Sequence, residues 1–486
     1  MLKCTLVSDC MITICILPLQ AAINGDLMKK PNKIQTVLSV ASCKLTRGIL
    51  RKTGRGGTAL PGIVAMKVAK NILAVPASEM DIVVVTGTNG KTTTCNMIEH
   101  ALSENGHDCH RDKSGANLLH GIASDLVCDT NWLGRPRNRY AVLEVDEAAL
   151  KQVVPYIRPK VIVVTNLFTD QADRFGSVEN TLAEIRKGVK RSPGSVLVLN
   201  AEDTQSASLA LDVPNKVIWY GLDETVGEQG KTDLSDAGKC PKCGSEYEYD
   251  YHIYAHLGGF RCPKCGYCRH TPDVAVTSID KMDTNGSMVH MRTDGSEEEV
   301  FVSLPAVYNV YNAAACVAAI EALGFPAQEA IQSLSNVRSA FGRMETFELG
   351  GNVLQMILVK NPAGCNQAFT YVTSFKDPFN AVLCLNNRTG DGHDFSWIEN
   401  TDYEKLCSDP YLQKLYVCGD RAQDLYDRLK RAGADESRME LVTDYTKLVD
   451  ELEQENCTTF LLPNYTAMME LRTALGPKTG NKEFWE

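Results

Sequence analysis

The sequence predicts an α/β protein in which helices cover both faces of a mostly parallel sheet. Three observations lead to this prediction. Short apolar runs rich in Val and Ile alternate with helical patterns from about residue 81. A turn rich in Gly and Thr joins the first of these runs to a helix. Four further strand patterns after residue 350 predict a second α/β domain, and 486 residues are enough for two or three domains.

Composition and net charge indicate which kinds of binding partner and which cellular compartment to expect. The net charge is −10, which argues against nucleic acid as the main partner because phosphate binding requires a basic face. The 18 cysteines are scattered through a long chain with no convincing export signal. Reduced thiols and a cytoplasmic location are therefore expected.

Residues 1–45 are predicted to be an N-terminal extension, disordered or produced by an upstream start codon, with Met28 as an alternative start. The run "CMITICILPL" is too short to span a bilayer, and a signal peptide is the less favoured interpretation. Residues 28–60 are rich in Lys and Arg. They are interpreted as a solvated arm in preference to a surface that touches anionic lipid.

The first domain is predicted over residues 46–340 and the second over residues 341–486. Strands of the first domain are predicted at 81–85, 139–147, 159–168, 195–203 and 215–221. A Cys- and Tyr-rich insertion at 236–271 interrupts the pattern, which resumes with β-rich sequence and a helix at 310–324. Strands of the second domain are predicted at 353–361, 380–387, 414–420 and 458–464.

The turn "TGTNGKTTT" after the first strand predicts a phosphate-binding loop. Its glycines let backbone N–H groups converge, the helix N-terminus favours an anion, Lys91 adds a positive charge, and Thr92 offers a hydroxyl to Mg²⁺. The position of Lys-Thr after the glycines argues against an ordinary strand–helix turn. The predicted nucleotide-binding positions of this loop are Gly87, Thr88, Asn89, Gly90, Lys91, Thr92 and Thr93.

A nucleoside triphosphate needs a metal ion, and the metal needs oxygen ligands. Glu144 ends a predicted parallel strand, so it should face the same crevice as the phosphate loop. Glu144 is therefore predicted to hold Mg²⁺, directly or through water, with Asp146 and Glu147 as nearby alternatives.

Two "CPKCG" repeats predict a zinc ribbon within the insertion at 236–271. The spacing is typical of structural zinc sites, and a full set of four Cys leaves no position for a catalytic water. The predicted ligands are Cys240, Cys243, Cys262 and Cys265, and the weaker candidates are Cys268, His252, His256 and His270. The sequence around these cysteines is acidic and rich in Tyr. This favours an insertion that is stabilised by zinc over a module that binds nucleic acid.

Several motifs together resemble a known family. "GTNGKTTT", "TNLFTDQADRFG" (165–176) and "VYNVYNAAA" (307–315) resemble the central ATPase domain of Mur ligases. The cysteine repeats, "VKNPAGCNQ" (359–367) and "DGHDFSWI" (391–398) narrow the resemblance to the MurT family. The resemblance covers about residue 45 to the C-terminus. It implies a Mur ligase-type ATPase domain with an inserted zinc ribbon, followed by a Rossmann-like second domain.

The resemblance also implies an activity and partners. The family uses ATP and Mg²⁺ to amidate the α-carboxylate of D-Glu in the stem peptide of lipid II, and a GatD-type glutaminase subunit supplies ammonia. This implies a cytoplasmic protein acting at the inner face of the membrane. By the same resemblance, Asn312 lies against the nucleotide, and Asp394 completes the Cys–His pair of the glutaminase. Asp391 is the rival of Asp394, and without the resemblance either would be interpreted as a turn residue.

The sequence departs from the family motif at Thr169, where an Arg is usual, and at Ser177. Arg174 and Arg343 are the candidates to compensate for the missing cation. Two rival functions remain open at this point. One is an amino-acid-adding ligase of the Mur or folylpolyglutamate type. The other is a regulator without enzymatic activity that binds nucleotide and carries a zinc ribbon.

Overall fold

The computed structural model describes residues 30–53, 58–111, 115–169, 177–226, 236–339 and 342–480. It contains a nine-stranded sheet, a six-stranded sheet and a separate two-stranded sheet. None of the helices in these ranges is long and apolar enough to cross a bilayer. The N-terminal hydrophobic run, Met28 and residues 54–57 of the basic stretch lie outside the described residues.

The nine-stranded sheet belongs to the first domain and has the order β11-β10-β9-β6-β5-β4-β1-β3-β2. Strands β1 to β6 pair in parallel and β9 pairs in parallel with β6, whereas β9, β10 and β11 form an antiparallel edge. The strands are β1 (Asp81–Thr86), β2 (Cys109–Arg111), β3 (Tyr140–Glu144), β4 (Val161–Val164), β5 (Val196–Asn200), β6 (Val217–Leu222), β9 (Val274–Asp283), β10 (Gly286–Thr293) and β11 (Ser296–Val302).

Helices cover both faces of this sheet, because the central strands are apolar on both sides. In β1, Val83 and Val85 enter one core cluster while Ile82 and Val84 enter another. The helices of this domain are α1 (Lys33–Lys52), α2 (Leu60–Val68), α3 (Ala74–Ala77), α4 (Lys91–Glu104), α5 (Leu119–Cys128), α6 (Leu150–Ile157), α7 (Val178–Lys190), α8 (Thr204–Ser208), α9 (Val307–Leu323) and α10 (Ala327–Ser333).

The predicted insertion lies between β6 and β9 and forms its own hairpin. The hairpin consists of β7 (Glu248–Tyr254) and β8 (Leu257–Arg261), which pair antiparallel. Tyr247, Phe260 and Tyr267 pack with two of its cysteines into a small buried cluster. This cluster also includes Ala207 of α8, and Tyr254 and Leu257 of the hairpin belong to a core cluster of the nine-stranded sheet.

The six-stranded sheet forms the second domain and has the order β12-β13-β17-β14-β15-β16. Only the β12–β13 pair is antiparallel among its ladders. Its strands are β12 (Arg343–Leu349), β13 (Asn352–Ile357), β14 (Phe379–Cys384), β15 (Leu412–Cys418), β16 (Met439–Leu441) and β17 (Thr458–Pro463). Its helices are α11 (Pro362–Val372), α12 (Tyr403–Cys407), α13 (Ala422–Arg431), α14 (Tyr445–Leu452) and α15 (Tyr465–Thr479).

The structure confirms the predicted α/β class and the mostly parallel sheets. It differs from the prediction at the N-terminus, where α1 begins at Lys33 inside the range assigned to an extension. Ser39 on α1 donates a hydrogen bond of 2.7 Å to the carbonyl of Ala65 on α2, so the helix is attached to the first domain. The folded chain therefore starts before residue 46, and residues 33–52 are not a solvated arm.

Candidate functional site

The predicted phosphate loop connects β1 to α4, and its two glycines have backbone angles that favour glycine. The φ angles are 121° at Gly87 and 85° at Gly90. An ideal Cβ on Gly87 would lie 2.4 Å from Thr165 Oγ1, and one on Gly90 would lie 2.3 Å from Asn312 Oδ1. The loop is therefore wrapped closely against its neighbours in a form that larger residues cannot reproduce.

The residues that follow β4 hold the loop in place. The Thr88 amide donates to the Asn166 carbonyl at 2.8 Å, and the Asn89 amide donates to Asn166 Oδ1 at 3.0 Å. The Phe168 amide in turn donates to Thr88 Oγ1 at 3.0 Å. The sequence motif at 165–176 indicated a family resemblance but not that this segment supports the phosphate loop. The sequence feature that pointed to this support is the position of the segment after a strand that neighbours β1.

Lys91 is the first residue of α4, and its ammonium group lies over the loop. Its Nζ donates to the Gly87 carbonyl at 2.5 Å and to Glu147 Oε1 at 2.7 Å. Both side chains of this ion pair are largely buried. The ammonium is thus held at the positive end of a 14-residue helix, where an anion is favoured by both charges.

The three acidic residues proposed as metal ligands, Glu144, Asp146 and Glu147, make different contacts. Thr92 Oγ1 donates to Glu144 Oε2 at 2.5 Å, so a hydroxyl and a carboxylate meet beside the loop. Glu147 instead pairs with Lys91, and Asp146 Oδ1 accepts from the Ala148 amide at 3.0 Å within a turn. Hard oxygen donors of this kind suit Mg²⁺. Thr92 and Glu144 are therefore the pair best placed to hold the ion.

Asn312 on α9 is buried beneath the loop. Its Oδ1 accepts from Thr94 Oγ1 at 3.2 Å, and its Nδ2 donates to Asn309 Oδ1 at 3.1 Å. Thr93 is also buried, on the first turn of α4. These contacts place Asn312 against Gly90, so the structure shows it supporting the phosphate loop.

Arg343 brings a positive charge from the second domain toward the same site. A β-bulge separates it from Glu345 in the β12–β13 ladder, and Met344 within the bulge has a φ of 58°. Burial lowers the pKa of Arg343, and the nearby charge of Glu144 opposes this effect. Arg343 is thus near enough to Glu144 to interact with it electrostatically, whereas Arg174 lies outside the described residues.

Thr169 has a structural contact of its own. Its hydroxyl donates to Asp236 Oδ1 at 2.5 Å, and its amide donates to Asp236 Oδ2 at 3.1 Å. This links the segment after β4 to the start of the cysteine-rich insertion. Ser177, the second departure, caps α7 through a bond from the Asn180 amide.

The two domains meet at the phosphate loop. Asn361, which caps α11 of the second domain, donates from Nδ2 to Asn89 Oδ1 at 3.1 Å. Asn361 is buried, and its own Oδ1 accepts from the Gly364 amide at 2.8 Å. The sequence motif that contains Asn361 does not by itself predict this contact.

The four predicted zinc ligands come together. Their Sγ atoms all lie within 4.8 Å of one another, with 3.5 Å between Cys240 and Cys265 and 3.3 Å between Cys243 and Cys262. Tetrahedral zinc with bonds of about 2.3 Å separates its sulfurs by about 3.8 Å, so the arrangement fits the ion after a small expansion.

The two C-x-x-C-G turns that carry the cysteines have the same backbone hydrogen bond. The Gly244 amide donates to the Cys240 carbonyl at 2.8 Å, and the Gly266 amide donates to the Cys262 carbonyl at 3.0 Å. The two glycines have φ angles of 73° and 74°. The cluster is therefore a pair of equivalent turns, which is typical of a structural zinc ribbon.

The weaker metal candidates lie elsewhere. His256 is fully buried and pairs through Nε2 with Asp203 Oδ1 at 3.0 Å. His270 stacks on Trp219, and His252 stacks on a neighbouring tyrosine. Cys268 is exposed and is not part of the four-sulfur cluster. The described residues thus agree with the set of four cysteines.

Buried polar pairs tie the ribbon to the first domain. Arg269, beyond β8, donates from Nε to Glu202 Oε1 at 2.5 Å, and the Leu222 amide donates to Glu202 Oε2 at 2.8 Å. Burial raises the pKa of Glu202 to about 7, and the charge of Arg269 opposes this shift. These partners were not predicted, because nothing in the spacing of the sequence relates Glu202 to the ribbon.

The structure distinguishes Asp394 from Asp391. Asp391 accepts hydrogen bonds from the Thr466 amide at 2.7 Å and from the Thr466 hydroxyl at 2.5 Å, so it fastens the loop to α15. Asp394 is exposed, and hydrogen bonds from the side chain and backbone of Ser396 hold its pKa below the usual value. Asp394 is therefore an ionised carboxylate that faces outward.

The chain matches two known protein families. The family described as Mur ligase middle domain matches residues 85–240, and the family described as MurT ligase C-terminal matches residues 358–468. Among solved structures, a pseudomurein peptide ligase type C from Methanothermus fervidus has a TM-score of 0.62 at 19% identity, covering 82% of this chain and 79% of its own. The ADP complex of MurF from Thermotoga maritima has a TM-score of 0.60 at 14% identity, covering 85% and 84%. These structures establish the fold alone.

Relatives identified by sequence similarity indicate the family, whereas the solved structures indicate only the fold. The subunit MurT of lipid II isoglutaminyl synthase (glutamine-hydrolyzing) from Streptococcus pneumoniae is 32% identical over 447 residues, covering 92% of this chain and 98% of that protein. The subunit of the same name from Staphylococcus aureus strain COL is 32% identical over 431 residues, covering 87% and 94%. The similarity covers both domains of this chain. This chain therefore belongs to the MurT family.

Proposed function

We propose that this protein is the ATP-dependent ligase subunit of a lipid II isoglutaminyl synthase that acts in peptidoglycan synthesis. Nitrogen would come from glutamine hydrolysed by a GatD-type partner subunit. The observation that carries the proposal is the meeting of Lys91, Thr92 and Glu144 at one loop, in a chain that matches MurT from Streptococcus pneumoniae over almost the whole of that protein.

The substrate carboxylate must be activated, because its negative charge repels a nucleophile and oxide is a poor leaving group. Transfer of the γ-phosphoryl group of ATP to the carboxylate oxygen releases ADP and gives an acyl phosphate. Ammonia can then attack the carbonyl carbon, and phosphate leaves. The acid proposed is the α-carboxylate of D-Glu in the stem peptide, and the product is D-isoglutamine.

The chain contributes position and charge to this reaction. The loop amides and Lys91 would receive the phosphates, while Thr92 and Glu144 would hold Mg²⁺, which neutralises phosphate charge when bound. Lys91 Nζ donates to Glu147 Oε1 in this structure, so binding of phosphate would compete with this bond. Arg343 would add a second cation from the other domain.

The nitrogen source explains the need for a partner. Ammonia free in water near neutral pH is almost entirely ammonium, which is not nucleophilic, so delivery from an adjacent glutaminase is favoured. A glutaminase uses a Cys–His pair, and a carboxylate beside the imidazole orients it and makes it a better base. The exposed, ionised Asp394 is proposed to supply that carboxylate across the subunit interface.

The two rival functions have weaker support. An amino-acid-adding ligase is represented by a UDP-N-acetylmuramoylalanine–D-glutamate ligase from Pelotomaculum thermopropionicum, which is 27% identical with only 56% of its length covered. A regulator without enzymatic activity would use the same loop to bind nucleotide, so it is disfavoured by the relatives that are named as subunits of a synthase and not by the loop. The zinc ribbon is proposed to be structural in either case.

Co-expression with a candidate glutaminase from the same genome tests the proposal. Mass spectrometry of the stem peptides should show replacement of one carboxyl group by an amide. Lys91→Ala should lower the amidation rate about a hundred- to thousandfold, because one charge at the transferred phosphoryl group is lost. Lys67→Ala, on α2 of the same domain, is the matched control and should leave amidation unchanged. Unchanged stem peptides despite a stable complex and bound ATP would contradict the proposal.

A further inference from the structure

The outer face of α1 is more apolar than the face that packs on the protein. Its buried side consists of small or polar residues, namely Thr36, Ser39, Val40 and Cys43. Its solvent side carries four large aliphatic residues that are between 54% and 73% exposed, namely Ile34, Leu38, Leu45 and Ile49. Their spacing of four, seven and four residues places them on one stripe of the helix. A helix in water normally shows the opposite distribution.

The charge of this region is also unusual. Residues 27–78 contain no Asp or Glu, in a chain whose net charge is −10. The cations of this stretch on and around α1 are Lys30, Lys33, Lys44, Arg47, Arg51 and Lys52. Arg51 and Lys52 are exposed in the last turn of the helix, next to the end of the apolar stripe. The charged residues that this stretch of the chain places beside the stripe are therefore all positive.

A second exposed apolar feature lies beside α1. The turn after α5 presents Trp132 and Leu133, which are 61% and 59% exposed. Lys44 of α1 lies 5.2 Å from the centre of the Trp132 ring, and Gly134 in the same turn fits against Thr36 of α1. Arg135 and Arg137, which follow in the chain, are exposed as well. The turn thus continues the apolar and cationic character of the helix.

We propose that this α1 face, formed by the four aliphatic residues of α1 with Trp132, Leu133 and the bordering cations, docks on an anionic lipid surface. An amphipathic helix with cations and a nearby Trp is suited to the boundary between headgroups and acyl chains. The same positive charge opposes pairing with a second copy of this face. The inference goes beyond the proposed function and stands on the residues of this face alone, although a lipid-linked substrate would place the site near such a surface.

Stable binding to a membrane requires both the apolar side chains and the cations of this face. A few partly inserted apolar side chains give only weak membrane binding, and each cation near an anionic surface adds about fivefold in affinity. Binding should therefore need anionic lipid and weaken as salt rises, because charges on a surface are screened. Neither property is expected of a helix face that is covered by another protein chain.

Vesicle sedimentation of the full chain tests the inference. Vesicles of phosphatidylcholine that contain phosphatidylglycerol should bind the protein, and vesicles of phosphatidylcholine alone should bind it far less. Leu45→Gln with Ile49→Gln should weaken binding by at least about tenfold, since the apolar area is lost while the charge stays. Arg51→Gln with Lys52→Gln should weaken it roughly fivefold for each charge removed. Both pairs are exposed, so the fold should be kept.

The control is Leu441→Gln, which changes an exposed Leu on β16 of the second domain and should bind like the unaltered chain. Trp132 fluorescence, taken as the difference between the unaltered chain and Trp132→Phe, should shift to shorter wavelength on anionic vesicles. Equal binding by the Leu45/Ile49 variant, or no binding to anionic vesicles, would overturn the inference. Self-association of the unaltered chain that this variant abolishes would also overturn it, by showing a protein-covered face. Because vesicle binding needs no catalysis, these outcomes leave the proposed function untouched.

Discussion

Single contacts distinguish residues that sequence reasoning treated as alternatives. Glu144 and Glu147 lie three positions apart, yet one meets the Thr92 hydroxyl and the other meets the Lys91 ammonium. Asp391 and Asp394 share a motif, yet one fastens a loop and the other faces outward. Sequence spacing cannot separate such pairs, because the direction of each side chain depends on the local backbone.

Exchange of each Asp for Asn tests the assignment of the two acids. Asp394→Asn should lower glutamine hydrolysis by the complex while ATP binding and stability stay unchanged, because the side chain is exposed. Asp391→Asn should lower the free energy of unfolding of the second domain by about 1–3 kcal/mol, because hydrogen bonds to Thr466 are lost. Glutaminase assays and thermal unfolding of both variants are the measurements. A loss of glutaminase activity only in Asp391→Asn would reverse the assignment.

At the scale of elements, we expect the proposed zinc ribbon to depend on both metal and protein contacts. The hairpin of β7 and β8 is too small to be stable on its own core, so the four cysteines would need a shared ion to hold their turns. The Asp203–His256 and Glu202–Arg269 pairs then attach the insertion to the segment that follows β5. Loss of the ion should therefore disturb the insertion first and the large sheet second.

Two cysteines only three residues apart provide a matched test of the metal. Cys265→Ser should lower the zinc content of the purified chain from one ion per molecule to near zero, because three thiolates hold zinc less well than four. Cys268→Ser should keep full zinc content, because that thiol is exposed and lies outside the cluster. Elemental analysis and thermal unfolding report both effects. Equal zinc content in the two variants would exclude Cys265 as a ligand.

At the scale of the molecule, the candidate site is completed by both domains. The loop, Thr92 and Glu144 come from the first domain, while Arg343 and Asn361 come from the second. Asp394 is carried by the second domain as well. The proposed ligase reaction therefore depends on how the two α/β units are placed against each other.

Arg343→Ala tests this dependence. Loss of the guanidinium should lower amidation by about a hundredfold, because a cation is removed beside the phosphate site, while zinc content and glutaminase activity stay unchanged. Arg338→Ala is the matched control, since that side chain is exposed and precedes the second domain. Amidation kinetics at saturating ATP provide the measurement. Normal kinetics in Arg343→Ala would remove it from the site.

The sequence predicted the parallel strands, the phosphate loop and the cysteine cluster, because each depends on residues close together in the chain. It did not predict α1 as a packed helix, since Thr36, Ser39 and Cys43 form a buried face without a strong apolar pattern. It also did not predict the contact of Asn361 with Asn89. That contact joins residues 272 positions apart, and only the tertiary fold brings them together.

The position of β1 in its sheet has one more consequence. β1 lies between β3 and β4 and is hydrogen-bonded along both edges. A strand end usually loosens by fraying from a free edge of the sheet. Because β1 has no free edge, the segment that leads into Gly87 does not fray in this way. Deuterium should enter the amides of this strand only when the whole sheet opens, so the rigidity of the phosphate loop is a property of the entire first domain.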